Sequence, residues 1–160
     1  MTVVLYDVCG CSGGGMCLCI VFYIKPTGYF YPKNQDMTKP AYHNTAMVYL
    51  IVKDPWILQD FLCTVFDAEI KIKLPDLGQS GRVHAEALIG DTAIMFSGAN
   101  DDWQPQTAGI FIYVENADET LEKALRHHAR IILPLQDQPY GRSGGIEDPC
   151  GNVWWITSIN

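Results

Sequence analysis

The stretch MVYLIVKDPWILQDFLCTVFDAEI, residues 47–70, decides the fold. Met47 to Val52 is a short apolar run rich in β-formers and reads as a strand. Lys53-Asp54-Pro55 then supplies Asp as an N-cap and Pro at the first helical position, where its missing N–H is no loss. Leu58, Phe61, Leu62 and Val65 fall at i, i+3, i+4 and i+7, the stripe of an amphipathic helix, and Asp67 lies where that helix ends. Ile70 to Leu74 reads as a strand and Pro75 to Gly81 as a loop. Val83 to Ile89 and Thr92 to Phe96 read as a hairpin about Gly90-Asp91. The module is βαβββ.

The same order returns downstream. Ile110 to Val114 is a strand, Asn116 or Asp118 caps a helix striped by Leu121, Ala124 and Leu125, and Ile131 to Leu133 is a strand. A glycine-containing segment then leads to a last strand over Val153 to Ile156. Val52 maps to Val114 at an offset of 62, Ala68 to Ala129 at 61, and Gly90-Asp91 to Gly151-Asn152 at 61. Caps, stripes and turns recurring in register mark a structural repeat. The sequence therefore predicts an α+β fold of two βαβββ modules, 45–98 and 108–158, within a domain spanning 45–160.

Residues 1–44 read as an irregular, poorly ordered N-terminal extension. Gly10 and Gly13 to Gly15, then Pro26, Gly28 and Pro32, break any regular element there. The nine apolar residues Met16 to Ile24 are too few to span a bilayer, and no basic residue precedes them as a secretory signal requires. Cys9, Cys11, Cys17 and Cys19 could gather a soft metal, although structural zinc pairs usually stand two to four residues apart. The sharp change at Met37-Thr38-Lys39-Pro40 also raises Met37 as the native start.

Charge narrows the partners. The chain carries 18 Asp and Glu against 11 Lys and Arg, a net charge of −7, with 48% hydrophobic residues. Asp7 and Asp36 balance Lys25 and Lys33, so the whole −7 belongs to residues 37–160. A basic footprint for nucleic acid or an anionic membrane is missing, and the composition is too apolar for disorder. Four of six cysteines crowd the extension while Cys63 and Cys150 stand alone, which favours a reducing, cytoplasmic setting over a disulfide framework.

The paired modules resemble the vicinal oxygen chelate superfamily of glyoxalase I, extradiol dioxygenases and bleomycin-resistance proteins, with the nearest likeness to its PhnB-like branch. The residues that carry it are Tyr49-Leu-Ile-Val-Lys-Asp54, His84-Ala-Glu-Ala-Leu-Ile-Gly-Asp91 with Ile94-Met95, Tyr113-Val-Glu115, and above all the run from Tyr140 to Trp155, YGRSGGIEDPCGNVWW. One departure stands out: the branch usually has Tyr-Gly-Asp-Arg, and here Tyr140-Gly141 runs directly into Arg142. The resemblance implies a cleft on the side of each sheet away from its helix. It also implies four cleft-facing metal ligands, which would fall on Met47, Ile94, Gly109 and Trp155. None of these offers an imidazole or a carboxylate, so the expected cofactor set is none, the alternative being a divalent metal held elsewhere.

His84 and Glu86, two apart on one strand face, are the candidate catalytic pair. They read either as a hydrogen-bonded structural pair or as a base and its orienter, or as part of a relocated metal set. Pairing of Ala87 with Ile94 across the hairpin would turn them away from the cleft. Trp155 in a metal-ligand position makes an aromatic wall suited to a flat or cationic ligand, and Tyr49, Phe111 and Tyr113 share its expected face. These rings read equally as core. Trp103 reads as cleft rim, and Arg142, in a loop from Tyr140 to Gly145, as a grip for an anionic group or the partner of Glu147 or Asp148. The resulting expectation is a homodimeric protein that binds an aromatic or cationic small molecule in a metal-free cleft. Its rival is a glyoxalase-type lyase or isomerase with a metal set including His84 and Glu86.

Overall fold

The computed structural model describes residues 39–73 and 84–159. The expectations for the clustered cysteines, for Met37 as a start and for the 75–81 loop lie outside these residues.

Module one runs β1 (Val48–Val52), α1 (Pro55–Phe66), β2 (Glu69–Ile72), β3 (His84–Ile89) and β4 (Thr92–Gly98). Module two runs β5 (Gly109–Tyr113), α2 (Ala117–Arg126), β6 (Arg130–Gln138), β7 (Gly141–Glu147) and β8 (Val153–Ser158). Each module makes a four-stranded sheet, ordered β1-β4-β3-β2 and β5-β8-β7-β6, in which the first and last strands are parallel neighbours. The repeat read from the sequence is thus a repeat of topology.

Local chemistry sets both helices. Asp54 Oδ1 accepts from the backbone N–H of Trp56 and Ile57, and Asn116 Oδ1 accepts from those of Asp118 and Glu119, so Asn116 is the second cap. The 61-residue offset recurs at the ends of the helices. Asp67 (φ 52°) and His128 (φ 65°) both adopt left-handed backbone, and Gly90 (φ 58°) and Gly151 (φ 90°) occupy matching turns.

The helices cover one face of each sheet and lie against each other. Leu50, Val52, Ala85, Ala87, Ile94 and Phe96 of sheet one, Leu58, Phe61, Leu62 and Val65 of α1, and Ile146, Trp154 and Ile156 of sheet two form a single core. Phe66 meets Trp154 at 4.7 Å between ring centroids, joining α1 to β8. At the surface Lys123 reaches Asp67 and His127 reaches Asp60, at 3.6 and 3.5 Å.

Two boundaries differ from the sequence reading. Tyr140 to Gly145, expected as a loop, lies mostly within β7, because its glycines allow close pairing with β6 and β8 rather than breaking the strand. Residues 39–44, counted with the extension, carry Tyr42, His43 and Asn44 onto the first sheet. Asn44 Oδ1 accepts the Ala93 N–H at 3.2 Å.

Candidate functional site

Strand register fixes which side chains share the helix-free face of each sheet. In sheet one Tyr49, Met95 and Glu86 stand side by side across β1, β4 and β3, and His84 lies two residues from Glu86 on the same face. Ala87 does pair with Ile94, as expected from the two-residue turn, but both point into the core, Ile94 being 2% exposed. This corrects the sequence assignment: Ile94 is on the helix side of its sheet, and His84 and Glu86 are on the helix-free face. Met95, which takes the place on the helix-free face of β4, offers neither an imidazole nor a carboxylate.

Glu86 is 3% exposed and is the hub of this face. Its Oε2 accepts from Tyr42 Oη at 2.7 Å and from His43 Nε2 at 2.8 Å, and its Oε1 lies 3.3 Å from His84 Nε2. Burial alone would raise its pKa. Hydrogen bonds from His43, Tyr42 and His84, with the charge of His43, outweigh burial and hold the carboxyl below its ordinary value. The same contact pushes the Tyr42 phenol up. Tyr49 Oη lies 3.2 Å from His84 Nδ1, and the two rings stack at 5.7 Å. Sequence reasoning missed Tyr42 and His43 because they precede the first regular element. The one signal available was their aromatic and imidazole character just upstream of β1.

In sheet two Phe111, Trp155 and Gly145 are neighbours in register across β5, β8 and β7. Trp154 is fully buried on the helix side, where its Nε1 donates to Asp148 Oδ2 at 2.9 Å, while Trp155 faces the other way and is 38% exposed. The Trp155 ring packs closely over Gly145: a Cβ there would stand 2.7 Å from its Cζ3 and 3.0 Å from Ile132 Cγ1. Glycine at 145 is therefore part of the aromatic seat, a role the sequence reading does not give it. Phe111 and Tyr113 meet edge to face at 5.2 Å and are 51 and 64% exposed, and Tyr49 is 45% exposed on the other sheet. These rings are not core.

The remaining expected residues separate. Trp103 is exposed in the linker, where Asn100 Oδ1 accepts its backbone N–H. Arg142 is not available as an anion grip. Its Nε and Nη2 donate to the two oxygens of Asp118, and its Nη1 donates to Asp137 at 3.0 Å. Pairing on β7 puts Arg142 opposite Asp137 rather than near Glu147, which Arg130 binds through two hydrogen bonds of 2.7 Å. Cys150 is partly buried, and burial with the charges of Asp148 and Asp54 pushes its thiol up to about 12, unlike an activated nucleophile.

Among the described residues no three His, Cys, Asp or Glu side chains gather in a metal-binding arrangement. Both oxygens of Glu86 are engaged by protein groups, Oε2 by Tyr42 and His43 and Oε1 by His84.

Two helix-backed βαβββ modules around one core define a paired-module chelate-type fold. The family model described as glyoxalase/bleomycin resistance protein/dioxygenase superfamily matches residues 43–156, and the chain belongs to that superfamily. An uncharacterized protein of Mycobacterium bovis is 30% identical over 123 residues, covering 66% of this chain and 77% of its own length. Among solved structures, TioX from Micromonospora sp. ML1 aligns with a TM-score of 0.58 at 24% identity, over 73% of this chain and all of its own. The PhnB protein from Bacillus cereus aligns at 0.58 and 21%, over 72% of this chain and all of its own. FosX from Listeria monocytogenes, a fosfomycin resistance protein solved with manganese(II), aligns at 0.58 and 21%, over 73% of this chain and 92% of its own. Among the described residues no helix is long and apolar enough to cross a membrane.

Proposed function

We propose that this chain is a small-molecule-binding protein of the glyoxalase/bleomycin-resistance type, acting in the cytoplasm as a homodimer and holding an aromatic or cationic ligand in a metal-free cleft. The observation that carries the reading is the seat of Trp155. A half-exposed indole laid on Gly145, with Phe111 and Tyr113 beside it, occupies a face where the superfamily implies a metal ligand. Aromatic faces of this kind hold flat or cationic groups by stacking and cation–π contact. Net charge supports the same ligand class, since −7 disfavours an anion.

The dimer has a separate argument. Contacts between the two modules run through α1 and α2, while Tyr49 of sheet one and Phe111, Tyr113 and Trp155 of sheet two stay open. A second copy that sets the helix-free face of one module against that of the other would close two equivalent clefts.

Tryptophan fluorescence titration with a panel of cationic aromatic compounds tests the reading. Quenching in the wild type that Trp155→Ala abolishes, with an unchanged circular dichroism spectrum, is the expected result. No response across the panel overturns it, as does a response that survives in the variant. Tightly held stoichiometric metal in purified protein would overturn the metal-free cleft.

A further inference from the structure

The donor and acceptor inventory of the Glu86 cluster determines what the neighbouring phenol can offer a ligand. An ionised carboxylate only accepts, so His43 Nε2 and His84 Nε2 must each donate to Glu86. In neutral His84 the Nδ1 then carries a lone pair and no proton. Tyr49 Oη, 3.2 Å away, must be the donor in that contact. The single phenolic proton of Tyr49 is thereby committed inward. Tyr49 stands on the helix-free face and is 45% exposed, and its oxygen has only lone pairs left to offer a ligand.

We propose that Tyr49 Oη is a recognition point for a ligand N–H donor, of the primary or secondary ammonium class, with His84 and Glu86 fixing its polarity. This rests on the cleft reading above and adds the polar group the ligand must carry. Two side chains outside the relay hold its inner end. Tyr42 and His43 anchor Glu86, and the Lys71 ammonium stands 5.8 Å from the Tyr42 ring centroid. His84 is a positioning residue, since it acts through Tyr49.

The test compares three probes in fluorescence titrations at pH 8: 2-phenylethylammonium, its N,N,N-trimethyl analogue, which is a cation without N–H, and 2-phenylethyl methyl ether, which only accepts. The wild type should bind the N–H probe about tenfold or more tightly than the trimethyl probe, the range of a hydrogen bond from a charged donor. Tyr49→Phe should erase that ratio. His84→Ala, which frees the phenolic proton to turn outward, should improve binding of the ether relative to wild type. Equal binding of all three probes by the wild type would overturn the inference and leave the cleft reading standing. A ratio that persists in Tyr49→Phe, or ether binding unmoved by His84→Ala, would also overturn it. Binding of none of the three would overturn the cleft reading and this inference together.

Discussion

Asp148→Asn should be among the most damaging isosteric changes in this chain. Asp148 is 3% exposed and accepts four hydrogen bonds. Oδ1 takes the backbone N–H of Cys150 at 2.8 Å and of Asn152 at 2.9 Å. Oδ2 takes Asn152 Nδ2 at 2.8 Å and Trp154 Nε1 at 2.9 Å. An asparagine keeps one oxygen for the two backbone donors and turns an NH₂ toward two side-chain donors. Asn152 and Trp154 are both fully buried, so neither finds water instead. Each stranded buried donor costs about 1–3 kcal/mol, and the two together about 2–6 kcal/mol. A domain of this size has about 5–15 kcal/mol in total. Flipping the Asn152 amide moves the loss elsewhere, because Asn152 Oδ1 now accepts the Ala108 N–H at 3.3 Å. Guanidinium unfolding followed by circular dichroism gives the difference directly. In a double-mutant cycle with Trp154→Phe, the two changes should couple by about 1 kcal/mol or more, since the second removes one of the stranded donors. A loss below about 1 kcal/mol for Asp148→Asn, or strict additivity in the cycle, would refute this account of the turn.

Three further outcomes are expected. Gly145→Ala should lift the Trp155 ring from β7, costing about 1–3 kcal/mol by overpacking and shifting tryptophan emission; an unchanged spectrum and midpoint would contradict the seat. The Glu86 carboxyl titrates lower folded than unfolded, so its stabilising effect is full above the unfolded value near pH 4.3 and is lost as pH falls through the folded value. The stability of the wild type should therefore drop toward that of Glu86→Gln on the acid side, and parallel pH curves would count against it. Arg142→Ala should let the Asp118 carboxyl, held low first by its hydrogen bond to Arg142, titrate higher by NMR, while probe binding stays as in the wild type.

Much of the scaffold was legible because it is written in local, periodic chemistry. Asp54 and Pro55 start a helix wherever they precede such a stripe, and an offset of 61 carries Gly90 onto Gly151. The family resemblance, read from residues such as Gly144, Gly145 and Trp155, agrees with the match over residues 43–156. Parity was harder. Ile94 and Met95 are both apolar, so composition could not tell which one faces the helices, and the error propagated to His84 and Glu86. Arg142 was misplaced because its partner Asp118 comes from α2, 24 residues away, and nothing in the sequence measures that approach. Tyr42 and His43 contribute to the site by reaching across to β3, a tertiary contact that their residue types upstream of β1 hint at but no local pattern specifies.

Both sheets end in strands that a foreign chain could extend, and the molecule guards two of these margins differently. Along β1 the linker makes a short antiparallel bridge, with Ile51 N–H donating to Gln106 at 3.2 Å and Gln106 N–H returning to Ile51 at 2.8 Å. That margin is already occupied by the chain itself. β6 has exposed Ile131, Ile132 and Leu133, a composition prone to intermolecular pairing, but Pro134 follows them and the register with β7 breaks between Leu133 and Gln136. Proline withholds a donor and the irregularity bends the rim, so an added strand would find no continuous ladder. Replacing Pro134 with a β-former would thus do little to the native fold and much to its colloidal behaviour, turning a protected rim into a template for aggregation.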